Sequence, residues 1–217
     1  MVSDTTSKLI LVDDHPLLRK GVRQLVELED DMAVIGEASN GEDAVQLVQE
    51  KEADLVLLDL SMKGMDGIET LQAMRDAGVS CRIVVFTVSD DTNDVVAALK
   101  AGADGYLLKD MEPERLVDRI REACSGKMVL SEVLTEVLAK TFRDSSNKGK
   151  GDGYNSLTRR EKETLKMIAE GLSNKMIGRQ LNIVEATVKV HVKHLLKKLG
   201  LRSRVEAAVW AVENRVK

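Results

Sequence analysis

Apolar residues in the first 125 positions follow two alternating rhythms. Short runs, Leu9-Ile10-Leu11-Val12, Ala33-Val34-Ile35-Gly36 and Leu55-Val56-Leu57-Leu58, each end at a polar or turn-forming residue. Between them apolar side chains recur every three or four positions: Leu18, Val22, Leu25 and Val26 within 17–29, then Ala44, Val45, Leu47 and Val48 after Glu42. The succession continues as a helix over 66–76, a strand over 82–87, a helix over 92–101, a strand over 104–108 and a helix over 113–125. Apolar runs alternating with amphipathic helices predict five βα units and a mostly parallel sheet.

The rhythm then changes. Residues 127–142 still carry Met128, Val129, Leu130, Val133, Leu134, Val137 and Leu138, a short extension that returns to or leaves the first domain. Residues 143–153 have almost nothing to bury, and Gly149, Gly151 and Gly153 mark a flexible linker. From Leu157 onward every pattern is helical. Thr158 and Glu161 form a capping box at one helix start, and Gly171 ends that helix. A short helix over 175–181 and the turn Asn182-Ile183-Val184 lead into a longer helix over 185–199. Gly200 closes it, and Ser203 can cap a last helix. The expected division is therefore a first domain over 1–126, a connecting segment over 127–153 and a second domain over 154–217.

Charge sharpens this boundary. Residues 1–153 carry 18 Lys and Arg against 30 Asp and Glu, a balance of −12, whereas residues 154–217 carry 14 against 6, a balance of +8. An acidic part suited to cations or phosphate chemistry is joined to a basic part suited to a polyanion. No apolar stretch approaches 18 residues and the start is polar, so a cytoplasmic protein is expected. Cys81 and Cys124 lack metal-ligand spacing and read as reduced structural thiols.

In an open parallel sheet the carboxyl ends of the strands face one crevice. Asp13, Asp14 and Asp59 fall at such ends, as do Thr87 and Lys109. Three neighbouring carboxylates repel one another and call for a cation, and all-oxygen ligation favours magnesium or manganese. Asp59 is then left as a nucleophile toward a phosphoryl group, with Thr87 as hydrogen-bond donor and Lys109 as compensating charge. Together, Val12-Asp13-Asp14-His15-Pro16, Leu57-Leu58-Asp59-Leu60, Phe86-Thr87 and Gly105-Tyr106-Leu107-Leu108-Lys109-Asp110 resemble the receiver domain of two-component response regulators.

That resemblance implies a flavodoxin-like α/β fold with a five-stranded parallel sheet and flanking helices. It makes Asp59 the phosphoacceptor, served by a partner histidine kinase. It makes Asp13, Asp14, Asp59 and the main-chain carbonyl of Ser61 the Mg2+ ligands, Thr87 and Lys109 the switch pair, and Tyr106 an aromatic switch. The chain departs from many receivers at Met62-Lys63-Gly64, where Met-Pro is common. His15 is expected to serve only a local structural or surface role.

On the helix over 185–199, Lys189, Lys193, Lys197, Val190 and His194 share one face, while Val188, Val192, Leu195, Leu196 and Leu199 share the other. A basic face with an embedded apolar side chain suits the DNA major groove, and the preceding helix and turn supply helix-turn-helix geometry. Leu157-Thr158-Arg159-Arg160-Glu161, Gly171-Leu172-Ser173-Asn174-Lys175 and Thr187-Val188-Lys189-Val190-His191-Val192 resemble the all-α four-helix output domain of LuxR- and FixJ-type regulators. The chain as a whole resembles the nitrate/nitrite response regulators of enteric bacteria within that family.

This second resemblance implies that Lys189, Val190 and Lys193 reach base edges. Lys175, Thr187, His191, Lys197 and Arg204 would contact the backbone of double-stranded DNA, bound by a dimer. Two departures stand out: Arg159 where proline is common, and Val184 where a Ser or Thr cap is usual. A haloacid-dehalogenase-type enzyme also uses a strand-end Asp, but neither its further catalytic residues nor its cap is apparent, so no enzyme is expected. A receiver that controls an RNA- or protein-binding module is the alternative. The expected control is autoinhibitory: the unmodified receiver covers part of the basic surface, and phosphorylation alters the face built from 82–87, 92–101, 104–108 and 113–125.

Overall fold

The computed structural model describes residues 6–127, 129–130, 152–172, 174–214 and 216. The first domain alternates β1 (Ser7–Val12), α1 (Pro16–Glu27), β2 (Met32–Ala38), α2 (Gly41–Glu50), β3 (Leu55–Leu58), α3 (Gly67–Asp76), β4 (Arg82–Thr87), α4 (Thr92–Ala101), β5 (Gly105–Leu108) and α5 (Pro113–Ser125). The strands pair in parallel in the order β2-β1-β3-β4-β5. A two-residue β6 (Val129–Leu130) adds a sixth strand beside β5. Val129 and Leu130 of the segment read as an extension return to the sheet, although two paired residues are too few to mark a strand by periodicity; residues 131–151 lie outside the described residues.

Alternate residues of each strand feed opposite cores, as the pleat requires. Ile10, Val12, Val56 and Leu58 pack with α2, α3 and α4 through Ala44, Leu71, Met74 and Val95. Leu9, Leu11, Leu55 and Leu57 pack with α1 and α5 through Val22, Val26, Leu116 and Ile120. The chain leaves β1 toward one edge and resumes at β3 on the other side, which puts the topological switch point between these two strands. Cys81 and Cys124 are free, and burial pushes both thiols up to about 11, so they remain protonated at neutral pH.

The second domain contains α6 (Asp152–Asn155), α7 (Arg159–Ala169), α8 (Asn174–Leu181), α9 (Glu185–Leu199) and α10 (Arg204–Glu213). The short α6 begins inside the segment read as linker. The core gathers Leu165, Ile168, Ile177, Val188, Val192, Leu195, Ala207 and Ala211. Tyr154 stacks on Trp210 with ring centroids 6.0 Å apart. Thr158 and Glu161 form the expected capping box, and the Ser203 hydroxyl accepts from the Glu206 amide at 3.1 Å. Between α8 and α9 the chain turns through Asn182, the one described non-glycine residue with positive φ (+54°). A Cβ on Gly178 would sit 2.8 Å from the Ile183 carbonyl, so this turn can press on α8 only where α8 lacks a side chain. Val184 caps α9 with no side-chain bond to the free amides.

Candidate functional sites: an acidic pocket and a basic helix

Asp13 and Asp14 follow β1, and Asp59 follows β3, so the switch point brings three carboxylates to one crevice. The Asp13 and Asp59 side chains are almost wholly buried. Lys109, just past β5, reaches across the sheet end and lies 2.8 Å from Asp13 Oδ2 and 2.7 Å from Asp59 Oδ2. Main-chain donors complete the frame: the His15 amide to Asp13 Oδ1 at 2.7 Å and the Ser61 amide to Asp59 Oδ1 at 3.3 Å. Asp59 Oδ2 and Asp14 Oδ1 are sealed from water without an aligned hydrogen bond, although each has a nitrogen nearby. Buried carboxylate oxygens favour positive charge beside them, which Lys109 supplies for Asp59.

One oxygen or nitrogen from each of Asp13, Asp14, His15 and Asp59 lies within 4.8 Å of the others. The carboxylates form a hard-oxygen donor set that fits magnesium. His15 is well exposed and leans on the pair, with Nδ1 2.8 Å from Asp14 Oδ1. Ser61 is exposed beside them.

Thr87 and Tyr106 meet at Ser89. The Thr87 hydroxyl accepts from the Ser89 amide at 3.4 Å, and the fully buried Tyr106 donates its hydroxyl to the Ser89 carbonyl at 2.9 Å. Burial pushes the Tyr106 phenol up to about 12, so it stays a donor. The five chemical positions expected from sequence therefore surround one crevice, and the aromatic position is tied to the loop leaving it.

Two further residues shape this pocket. Arg19 donates to the Asp13 carbonyl and to Glu37 Oε2 at 3.0 Å. Gly67 opens α3 so close to the pocket that a Cβ there would lie 2.2 Å from the Asp59 carbonyl oxygen. The only local sign of Gly67 is its place after the helix cap Asp66.

On α9, Lys193, His194 and Lys197 are exposed, Val190 is 49% exposed, and Val188, Val192 and Leu195 are buried. Thr187 and His191 are partly buried. The basic face does not look into solvent alone. Lys189 Nζ lies 3.0 Å from Asp54 Oδ1 of the first domain, and the end of Lys193 packs over Gly78. Burial pushes the Lys189 ammonium down, but the Asp54 carboxylate more than offsets this and leaves it above the ordinary lysine value. Arg204 also turns to the seam between the domains, donating to Asn174 Oδ1 at 2.9 Å and to the Leu172 carbonyl. The Lys175 side chain lies outside the described residues.

The sequence reading left the position of the covering face open. That face is made of Asp54 before β3, Gly78 in the α3–β4 loop, Arg82 at the start of β4, and Gly102 after α4, which meets Arg202. These are the amino ends of the strands, opposite Asp59. No described residue of α5 lines it. Asp54 carries no sequence signature because a half-exposed Asp before a strand is commonplace.

An acidic crevice of this construction, joined to a helix-turn-helix, defines a phosphoacceptor switch with a nucleic-acid output. Residues 9–121 match the response regulator receiver domain family, and residues 155–211 match the luxR family of bacterial regulatory proteins. The chain belongs to the two-component response regulators with a LuxR-type output domain. It is 55% identical over 216 residues to the nitrate/nitrite response regulator protein NarL of Escherichia coli K12, with both chains fully covered. It is 46% identical over 215 residues to NarP of the same strain, with 99% of each chain covered. Among solved structures, the response regulator ChrA of a heme-sensing two-component system is 34% identical, with a TM-score of 0.51 over 98% of this chain and 99% of that one. A structure of RcsB dimers bound to DNA is 25% identical, with a TM-score of 0.56 over 96% of this chain and 98% of that one. Among the described residues no helix is long and apolar enough to cross a membrane.

Proposed function

We propose that Asp59 accepts a phosphoryl group from a sensor histidine kinase responding to nitrate or nitrite, and that this releases α9 to bind promoter DNA in the cytoplasm. An Asp59 carboxylate oxygen attacks phosphorus as the phosphorus–nitrogen bond of a phosphohistidine breaks and the imidazole leaves. Lys109, already between Asp13 and Asp59, holds compensating positive charge beside the incoming oxygens. Asp13, Asp14, Asp59 and the Ser61 carbonyl would hold magnesium, which supplies neutralisation of phosphoryl charge when bound. Thr87, whose hydroxyl oxygen accepts from the Ser89 amide, would donate its own proton to the new phosphoryl group.

The observation that carries the control mechanism is the ion pair of Lys189 with Asp54, beside which the end of Lys193 lies near Gly78. A helix inserted in a major groove about 12 Å wide cannot keep those side chains on the receiver. In the released state Lys189, Val190 and Lys193 read base edges, while Lys175, Thr187, His191, Lys197 and Arg204 contact phosphates. A dimer doubles the few base pairs that one recognition helix can read. Val205 of α10 is buried in the small domain, so it offers no surface to a dimer partner. Nitrate and nitrite come from the names of NarL and NarP.

The test is DNA footprinting at target promoters with wild type and Asp59→Ala, each with and without a phosphodonor. Donor-dependent protection by wild type alone is expected. Equal protection by both proteins under both conditions would remove Asp59 from control.

A further inference from the structure

Between the two domains lies a small cleft that opens to solvent. Its wall carries Arg75, Arg82, Arg202 and Arg204 but only one carboxylate, Asp104. Asp104 is already engaged. It accepts from Arg75 Nη2 at 2.6 Å and from the Ile83 amide at 3.0 Å, and both side chains of the ion pair are nearly sealed from solvent.

Arg82 and Arg204 have no carboxylate at ion-pair distance among the described residues. The bonds of Arg204 go to two neutral oxygens, those of Asn174 and Leu172. Burial, and then the charge of Arg82, push the Arg204 guanidinium down to about 9. Two like charges held in one partly buried seam oppose the docking that puts them there. The first residues of α8 and α10, Asn174 and Arg204, also line this cavity, and the positive ends of the two helix dipoles add positive potential.

We propose that this seam binds a small dianionic oxyanion of the inorganic phosphate class between Arg82 and Arg204, and that the bound anion stabilises the docked, DNA-silent arrangement. Planar guanidinium groups offer paired N–H donors that match a tetrahedral oxyanion, and a dianion neutralises two charges that Asp104 offsets only from beyond ion-pair distance. The inference rests on the docked arrangement described above. It adds a ligand remote from Asp59, since the cavity sits at the amino ends of β4 and β5. An Arg204 engaged in the seam is also withheld from DNA, so the anion and promoter DNA bind competitively.

The test is calorimetric titration of inorganic phosphate into the unphosphorylated full chain, with ionic strength fixed by chloride. Hydrogen exchange is followed in parallel at the starts of β4 and α10. Saturable binding, at least tenfold weaker in Arg82→Gln, is expected, together with slower exchange at the seam in wild type. Absence of saturable binding, or equal affinity in Arg82→Gln, overturns the proposal. If Arg82→Gln does not fold, the wild-type exchange result decides. Protected seam amides that phosphate leaves unchanged overturn the anion site alone. Amides that exchange freely before any addition overturn both the site and the docked arrangement.

Discussion

Lys189 and Asp54 lie 135 positions apart in sequence and 3.0 Å apart in the fold. Each side chain keeps about a third of its surface exposed (33% and 31%), so solvent screens the pair. Partly exposed ion pairs contribute about 0.2–1 kcal/mol. Asp54→Ala should therefore raise the DNA affinity of the unphosphorylated full chain by about 1.4- to 5-fold, a ratio that follows from that energy. Fluorescence anisotropy on a promoter duplex measures it. Unchanged affinity would mean that this contact does not restrain α9.

Tyr106→Phe keeps the buried ring and removes the hydrogen bond to the Ser89 carbonyl. Such a bond contributes about 0.5–1.5 kcal/mol. Phosphoryl uptake from a small-molecule donor should continue, while the gain in DNA affinity on phosphorylation should change. Loss of uptake itself would place Tyr106 in the transfer chemistry instead.

Gly67→Ala puts a methyl group 2.2 Å from the Asp59 carbonyl oxygen, where only backbone can give way. Overpacking of this kind costs about 1–3 kcal/mol. A matching loss in urea-denaturation stability is expected, with slower phosphorylation because the Asp59 backbone is displaced. Wild-type values in both assays would show that α3 can retreat freely.

Val184→Ser tests the missing cap. The backbone there is already extended, at φ −72° and ψ 151°, and the side chain is exposed, so a serine hydroxyl can reach the first amides of α9. A gain of about 0.5–2 kcal/mol is expected. Calorimetry should show the output-domain transition moving upward. Unchanged thermal stability and unchanged operator affinity together would exclude a role for the cap.

Glu161 gives the second domain an acid limit. Burial pushes its carboxyl up, but Lys198 at 2.7 Å and the Thr158 amide and hydroxyl outweigh burial and hold it below the usual carboxylate range. A carboxyl lowered on folding stabilises the protein above its unfolded value, near 4.5, and that contribution disappears as pH falls through the folded value. Glu161→Gln should cost about 1.5–3 kcal/mol at pH 7, the range for hydrogen bonds to a charged group. Its stability should then fall less steeply than that of wild type below about pH 4.5. Parallel pH profiles would assign the acid sensitivity elsewhere.

What could be read from the chain depended on distance. The strand-end carboxylates, the Thr158–Glu161 box and the bare Val184 cap are local, because periodicity and chain order alone place them. The convergence of Asp13, Asp59 and Lys109 followed because a parallel sheet brings strand ends together whatever the loops do. The second strand was harder: Ala33–Gly36 is its apolar centre, but it runs from Met32 to Ala38, and Glu37 points its carboxylate at Arg19 and Arg23. Docking was illegible in detail. Charge predicted that the basic helix would meet the receiver but not where, because Asp54, Gly78 and Gly102 come from three separate loops. Arg204 was read as a DNA contact, and nothing in its neighbours reveals that it faces Arg82.

The position of Asp54 constrains how a message can travel. Asp54 and Asp59 flank the four-residue β3, about 17 Å apart at the rise of an extended strand. A phosphoryl group on Asp59 makes the receiver more negative, and Lys189 is positive. Coulomb attraction alone would tighten the recognition helix onto the receiver, so its sign is wrong for release. On the proposed control, opening comes from a mechanical displacement, and one strand has the right span: β4 ends in Thr87 at the pocket and begins with Arg82 at the seam. Salt can weaken the lock between the domains without imitating the signal that opens it.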